Sequence, residues 1–206
     1  MALRILLLGA IEEVISLLVS FIKRIHLEDA GKSSQTRIQV LPLQKTRENV
    51  YTVTIISVGE EIFDISLVRD RVDLAIIFDI SILNTDILAE LLKEKTAYLI
   101  VLDSFRYVAY EKKEFEKRLR TLAKHVDELI IINYSKIILE NSMSISHALV
   151  TLIIYIMQNL GLIPLRKAQI IDILKTIIVN ESRRKTVIKL FKDGMRYITR
   201  YKEGLH

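Results

Sequence analysis

The chain contains no cysteine, only two prolines and only six glycines in 206 residues. Without thiols it cannot hold a disulfide framework, a thiolate zinc site or a cysteine nucleophile. Scarce Pro and Gly, with half of the residues hydrophobic, exclude disordered, collagen-like and linker-rich classes. Long apolar runs are lacking too. The longest, Ala148 to Met157, is about half of what a membrane span needs. The N-terminal run Ile5-Leu6-Leu7-Leu8 meets Glu12-Glu13 too soon for a signal or transit peptide. These absences predict a soluble intracellular chain with no membrane partner. The four histidines, His26, His125, His147 and His206, have no second ligand at metal-binding spacing. No Gly-x-Ser-x-Gly elbow and no Gly-x-Gly-x-x-Gly turn is present. No metal, cofactor or catalytic residue is expected.

Charge is present but uneven. The net +5 conceals eleven Lys/Arg against four Asp/Glu in residues 161–206, a net +7, and a slightly acidic remainder. A basic tail suits a polyanion or an acidic protein partner.

Apolar runs at Arg4–Gly9, Val72–Ile80, Ala97–Leu102 and Glu128–Asn133 read as buried strands. Thr36–Leu41 and Val50–Val58 read as a hairpin. Helical spacing marks Glu12–His26, Leu83–Lys95, Lys112–Val126 and Ser144–Leu160. Gly161 and Pro164 then break the chain before two further helices, roughly 166–179 and 182–200. Alternating strands and helices imply an α/β fold with a mostly parallel six-stranded sheet, one antiparallel edge strand and a C-terminal helical extension. The predicted division is 1–160 and 161–206. The last helix would carry a stripe of Lys185, Lys189, Lys192, Arg196 and Arg200, with Arg183 and Arg184 beside it. These seven residues are the candidates for partner binding.

Ligands of open parallel sheets sit at the carboxyl ends of the strands. With its early hairpin, the strand order resembles that of Ras-like small GTPases over about residues 4–160. The family's phosphate loop would fall on Gly9-Ala10-Ile11-Glu12-Glu13-Val14-Ile15-Ser16. Gly9 and Ser16 match, but Val14 replaces the second Gly and Ile15 replaces the Lys. Two carboxylates stand where phosphates would lie, and like charges repel. The Mg²⁺-linked Asp of the family falls on Ile56-Ser57-Val58-Gly59, which has none. The guanine-reading segment falls on Leu102-Asp103-Ser104-Phe105, which does not supply it. The resemblance therefore implies a three-layer pseudo-GTPase with vestigial loop positions Gly9, Val14, Ile15 and Ser16. Gly31-Lys32-Ser33 follows a helix instead of a strand, so it is a decoy.

Within that class the chain is similar to the centromere protein M family of the inner kinetochore. The similarity rests on Arg4-Ile5-Leu6-Leu7-Leu8-Gly9 with Glu12, Arg71-Val72-Asp73-Leu74-Ala75-Ile76-Ile77, Thr121-Leu122-Ala123-Lys124-His125, and Gly161-Leu162-Ile163-Pro164 with Ala168. It implies a non-catalytic assembly subunit, nuclear, that binds a helical-repeat partner, centromere protein I, with proteins H and K. Two alternatives stay open. One is a degenerate GTPase-like or receiver-like regulator, cytoplasmic and of archaeal type by composition. It would use Glu12, Glu13, Asp79, Ser104 and Lys136, with a non-nucleotide ligand at Asp79 and Asp103. The other is a nucleic-acid adaptor acting through the basic tail.

Overall fold

The computed structural model describes residues 3–29, 36–45, 50–58, 72–78, 96–103, 112–140 and 144–201. Their order is β1 (Leu3–Leu8), α1 (Glu12–Asp29), β2 (Thr36–Lys45), β3 (Val50–Val58), β4 (Leu74–Ile77), β5 (Thr96–Leu102) and α2 (Lys112–Ala123). Then come β6 (Val126–Ile132), α3 (Tyr134–Glu140), α4 (Ile145–Asn159), α5 (Lys167–Ile177), α6 (Glu181–Lys192), a 3₁₀ turn (Gly194–Tyr197) and β7 (Ile198–Tyr201). The predicted helix Leu83–Lys95 lies outside the described residues, as do Gly31-Lys32-Ser33 and Asp79.

The chain forms two compact units that interleave along the sequence. One comprises Met1–Ala10, Arg37–Ser135 and Ile198–His206; the other comprises Ile11–Thr36 and Lys136–Tyr197. The first is built on the sheet, the second on helices.

The α/β class holds, but the sheet has seven strands, in the order β2-β3-β1-β4-β5-β6-β7. β1, β4, β5 and β6 are parallel neighbours. Antiparallel pairs flank them on both sides: β3 opposes β1 through Leu3↔Val58 to Leu8↔Val53, and β7 opposes β6. The expectation of six strands with one antiparallel edge is therefore corrected. The direction of β3 is set by its own pairing with β1, which is antiparallel over six residue pairs.

Strand residues of both parities are buried. Leu6, Leu8, Ala75, Ile77, Leu99, Val101 and Leu129 share a core with Leu119 and Leu122 of α2. Ile5, Leu7, Leu74, Ile76, Ile100, Ile130 and Ile132 alternate with them and are as deeply buried. Burial on both faces is why these strands read as continuous apolar runs. At the amino end, Asp73 Oδ2 accepts the Arg4 backbone N–H at 2.8 Å.

In the helical unit, α4 packs on α1, α6 and the 3₁₀ turn. Every residue from Ala148 to Met157 is buried, as befits a helix apolar all round. α5 buries Ile170, Ile173 and Leu174, so the chain itself covers both helices that could have offered apolar faces to a partner. α4 ends in a Schellman motif. Gly161 takes φ +71, its N–H reaches Gln158 O at 3.2 Å, and the Leu162 N–H reaches Met157 O at 2.9 Å.

The predicted helix 182–200 stops at Lys192. Gly194 packs against Tyr155, where a Cβ would lie 2.6 Å from ring carbons. Beyond it, Arg196 O accepts the Lys136 ammonium at 3.0 Å, and Ile198–Tyr201 pair with β6 as a strand.

Candidate functional site

The carboxyl edge of the parallel strands is the first place to look for a ligand. Gly9 leaves β1 with φ +70, a conformation that favours glycine. The Phe78 N–H extends β4 to Leu8 O at 2.9 Å, and the Asp103 N–H extends β5 to Ile132 O at 2.9 Å. Asp103 is the chemically distinctive residue of this edge. Its Oδ1 is buried with no hydrogen-bond partner, and burial raises its carboxyl from the ordinary 3.8 to about 6.

A raised carboxyl value means that the folded chain favours the protonated form. The favourable contribution is complete below the unfolded value and is lost as pH rises through about 6. Allowing for partial solvent screening, this loss is about 1 kcal/mol. Asp103→Asn should therefore remove that decline and be more stable than the parent above pH 6, read from urea denaturation of both proteins at pH 4 and pH 7. Equal pH dependence in parent and variant would refute the assignment.

The vestigial phosphate-loop positions do not form a loop. α1 begins at Glu12, so Val14, Ile15 and Ser16 lie within its first two turns. Val14 is fully buried, Ile15 half-buried and Ser16 exposed. Glu12 and Glu13 complement the positive end of the helix dipole. Glu13 also accepts a 2.5 Å hydrogen bond from the Ser146 hydroxyl of α4.

The seven basic candidates are separated into different roles. Lys185, Lys189 and Lys192 are exposed along α6, with Lys185 2.9 Å from Glu181. The Arg183 N–H is capped by Asn180 Oδ1 at 3.0 Å, and its side chain is exposed. Arg184 turns inward to Ile178 O at 3.0 Å and Val179 O at 3.2 Å, tying the loop between α5 and α6. Arg196 is exposed on the 3₁₀ turn. Arg200 belongs to β7, where it meets Glu128 at 3.2 Å. The single helical stripe therefore dissolves into a row of three lysines on α6, flanked by Arg183 and Arg196.

His147 lies on α4, and its Nδ1 is buried without a partner. Desolvation lowers its affinity for a proton; Glu13 opposes that shift and Arg183 adds to it. The ring lies in an apolar groove with Leu17, Phe21, Val150 and Leu174. Among the described residues no group of three or more His, Asp or Glu could hold a metal ion, and no helix is long and apolar enough to cross a membrane.

No protein-family model matches the chain, and no curated protein matches it in sequence. Solved structures do. One is 2-oxoglutarate:ferredoxin oxidoreductase from Magnetococcus marinus, a structure with 2-oxoglutarate, coenzyme A and succinyl-CoA bound. That match has a TM-score of 0.54 and 12% identity over 95% of this chain, which spans only 30% of the other. Another is the gamma subunit of a keto/oxoacid ferredoxin oxidoreductase from Geobacter sulfurreducens PCA, with TM-score 0.57 and 11% identity over 96% of each chain. At such identities the likeness is one of fold.

That likeness overturns the Ras-like pseudo-GTPase reading and the resemblance to centromere protein M. The expectation of a non-enzymatic scaffold falls with it, because the matched chains belong to enzymes. Centromere proteins I, H and K and a nuclear location lose their basis, and the regulator and nucleic-acid alternatives gain none. Two of the blocks that suggested the resemblance are the buried strands β1 and β4, and such strands imitate one another across unrelated α/β chains.

Proposed function

We propose that the chain is a γ-type subunit of an oxidoreductase assembly acting on 2-oxoacids, and that it works in contact with partner chains. The supporting observation is the mutual 96% coverage with a gamma subunit at TM-score 0.57. A similar architecture making up part of a longer chain also agrees with a unit that operates against further protein. The donor set agrees with a dependent role. The given residues include no cysteine and so offer no thiolate to an iron–sulfur cluster.

The contact surface proposed for this chain is the exposed cationic row Lys185, Lys189 and Lys192, with Arg183 and Arg196 beside it. It suits an acidic face on a partner, and rim charges of this kind set association rate and salt dependence. Tagged chain purified from its native cells should carry partner subunits and a coenzyme A-dependent, 2-oxoacid-dependent reduction of methyl viologen. The combined change Lys189→Glu, Lys192→Glu and Arg196→Glu should weaken that association about tenfold or more, with the unfolding midpoint unchanged. Elution of the parent chain alone, with no dye reduction, would overturn the subunit reading. Intact association of the triple variant would overturn the surface.

A further inference from the structure

Four large apolar side chains stand exposed among the described residues: Ile11, Leu139, Val179 and Met195. Two of them share one surface of the helical unit. Lys136 reaches from α3 to the 3₁₀ turn, where Arg196 O accepts its ammonium at 3.0 Å and the centre of the Tyr197 ring lies 5.7 Å away. Leu139 comes three residues after Lys136 and so shares its face of α3. Met195 immediately precedes Arg196 on the turn. The same side of the unit therefore presents Leu139, 85% exposed, and Met195, 58% exposed.

A single exposed apolar residue is ordinary. These two stand on backbone that buried neighbours hold in place. Ile137 is buried two residues before Leu139, and Gly194 and Tyr197 are buried on either side of Met195. Gly194 is packed against the Tyr155 ring. Little backbone freedom remains to be lost when a partner covers such side chains. The surrounding charge is sorted. Lys189 and Lys192 are exposed at the end of α6 and Arg196 on the turn, whereas Glu140 is exposed beside Leu139 and Asp193 is half-buried. An apolar centre with a charged rim is the anatomy of a protein–protein contact, and the cationic excess toward α6 calls for carboxylates opposite it.

We propose that Leu139 and Met195 are the apolar anchors of the subunit contact whose cationic side is Lys189, Lys192 and Arg196. The occupant is a surface of a partner subunit in which aliphatic side chains are bordered by Asp and Glu. The inference rests on the subunit reading, to which it adds the centre of the contact.

The test uses tagged chain purified from its native cells together with its partners. The parent should keep them through a wash in about 0.5 M salt, which screens rim charges and leaves apolar contact intact. Leu139→Ser combined with Met195→Ser should shed them in that wash, dissociating about tenfold faster or more, with the unfolding midpoint unchanged. Photo-methionine supplied during growth gives a readout that needs no variant. Irradiation should join position 195 to an aliphatic, acid-bordered segment of a partner subunit. A parent chain that carries no partners before the wash would remove the subunit reading and this inference with it. Partners shed by the parent in the wash, or retained equally by the double variant, would overturn the anchors and leave the subunit reading standing. A cross-link from position 195 to a second copy of this chain, or to no protein, would do the same.

Discussion

Replacing Phe191 with alanine should cost the helical unit about 4 kcal/mol. Phe191 is 1% exposed, and its ring meets that of Tyr155 edge to face, with centroids 5.7 Å apart at 85°. The deletion removes the apolar transfer energy of the ring and the edge-to-face attraction together. Collapse into the void is restricted, because its neighbours are already held. Tyr155 is wedged against the Gly194 backbone, and Lys167 lies over its ring at 5.9 Å. Val187 and Leu190 are buried on the same helix. Phe191→Leu keeps most of the volume and should lose no more than about 1.5 kcal/mol. Urea denaturation followed by circular dichroism measures both. A loss below about 1 kcal/mol for the alanine variant would mean that α6 is not docked on α4 as described.

How legible this fold was depends on whether local pattern or long-range pairing decides an element. β1, β5, β6 and α4 were visible because their burial is nearly complete, and that forces uninterrupted apolar residues into the sequence. The direction of β3 was not visible. A strand has the same alternation whichever way it runs, so only its pairing with β1 settles the matter. β7 was mistaken for helix because Lys185, Lys189, Lys192, Arg196 and Arg200 recur at intervals of three or four. The opposing signal was Gly194, a residue that commonly ends helices; its necessity shows only when Tyr155 is seen against it. α3 was missed because seven residues with Ile137, Ile138 and Leu139 in succession present no clear period.

Single side chains were legible in position and not in character. Asp103 stood out as a strand-end acid, but its desolvation arises from packing that no spacing encodes. Arg184 looked like its neighbours, yet two backbone carbonyls claim its guanidinium. The comparison with a phosphate loop treated residues 9–16 as one loop, when the chain is helical from Glu12.

That last point carries a second large effect. Val14→Gly installs the glycine that a phosphate loop would need, and it should destabilise the chain by about 3 to 4 kcal/mol. Val14 is fully buried, and its N–H closes the first turn of α1 on Ile11 O at 3.0 Å. Losing three buried carbons costs roughly 2.4 kcal/mol of transfer energy, and glycine inside a helix costs about 1 more. Ile15→Lys is only half-buried and can extend its ammonium to solvent, so it should cost about 1 kcal/mol or less. The double variant should bind no nucleoside triphosphate in calorimetry with Mg²⁺. Glu12 and Glu13 still occupy the first turn, and Glu13 stays bonded to Ser146. Triphosphate binding by the double variant would show that residues 12–16 can leave the helix and form an anion cradle. Val14→Gly at parental stability would show that α1 does not bury this residue. Loss of stability without gain of binding is the outcome expected of a helix that starts with two carboxylates and packs its next residue into a core.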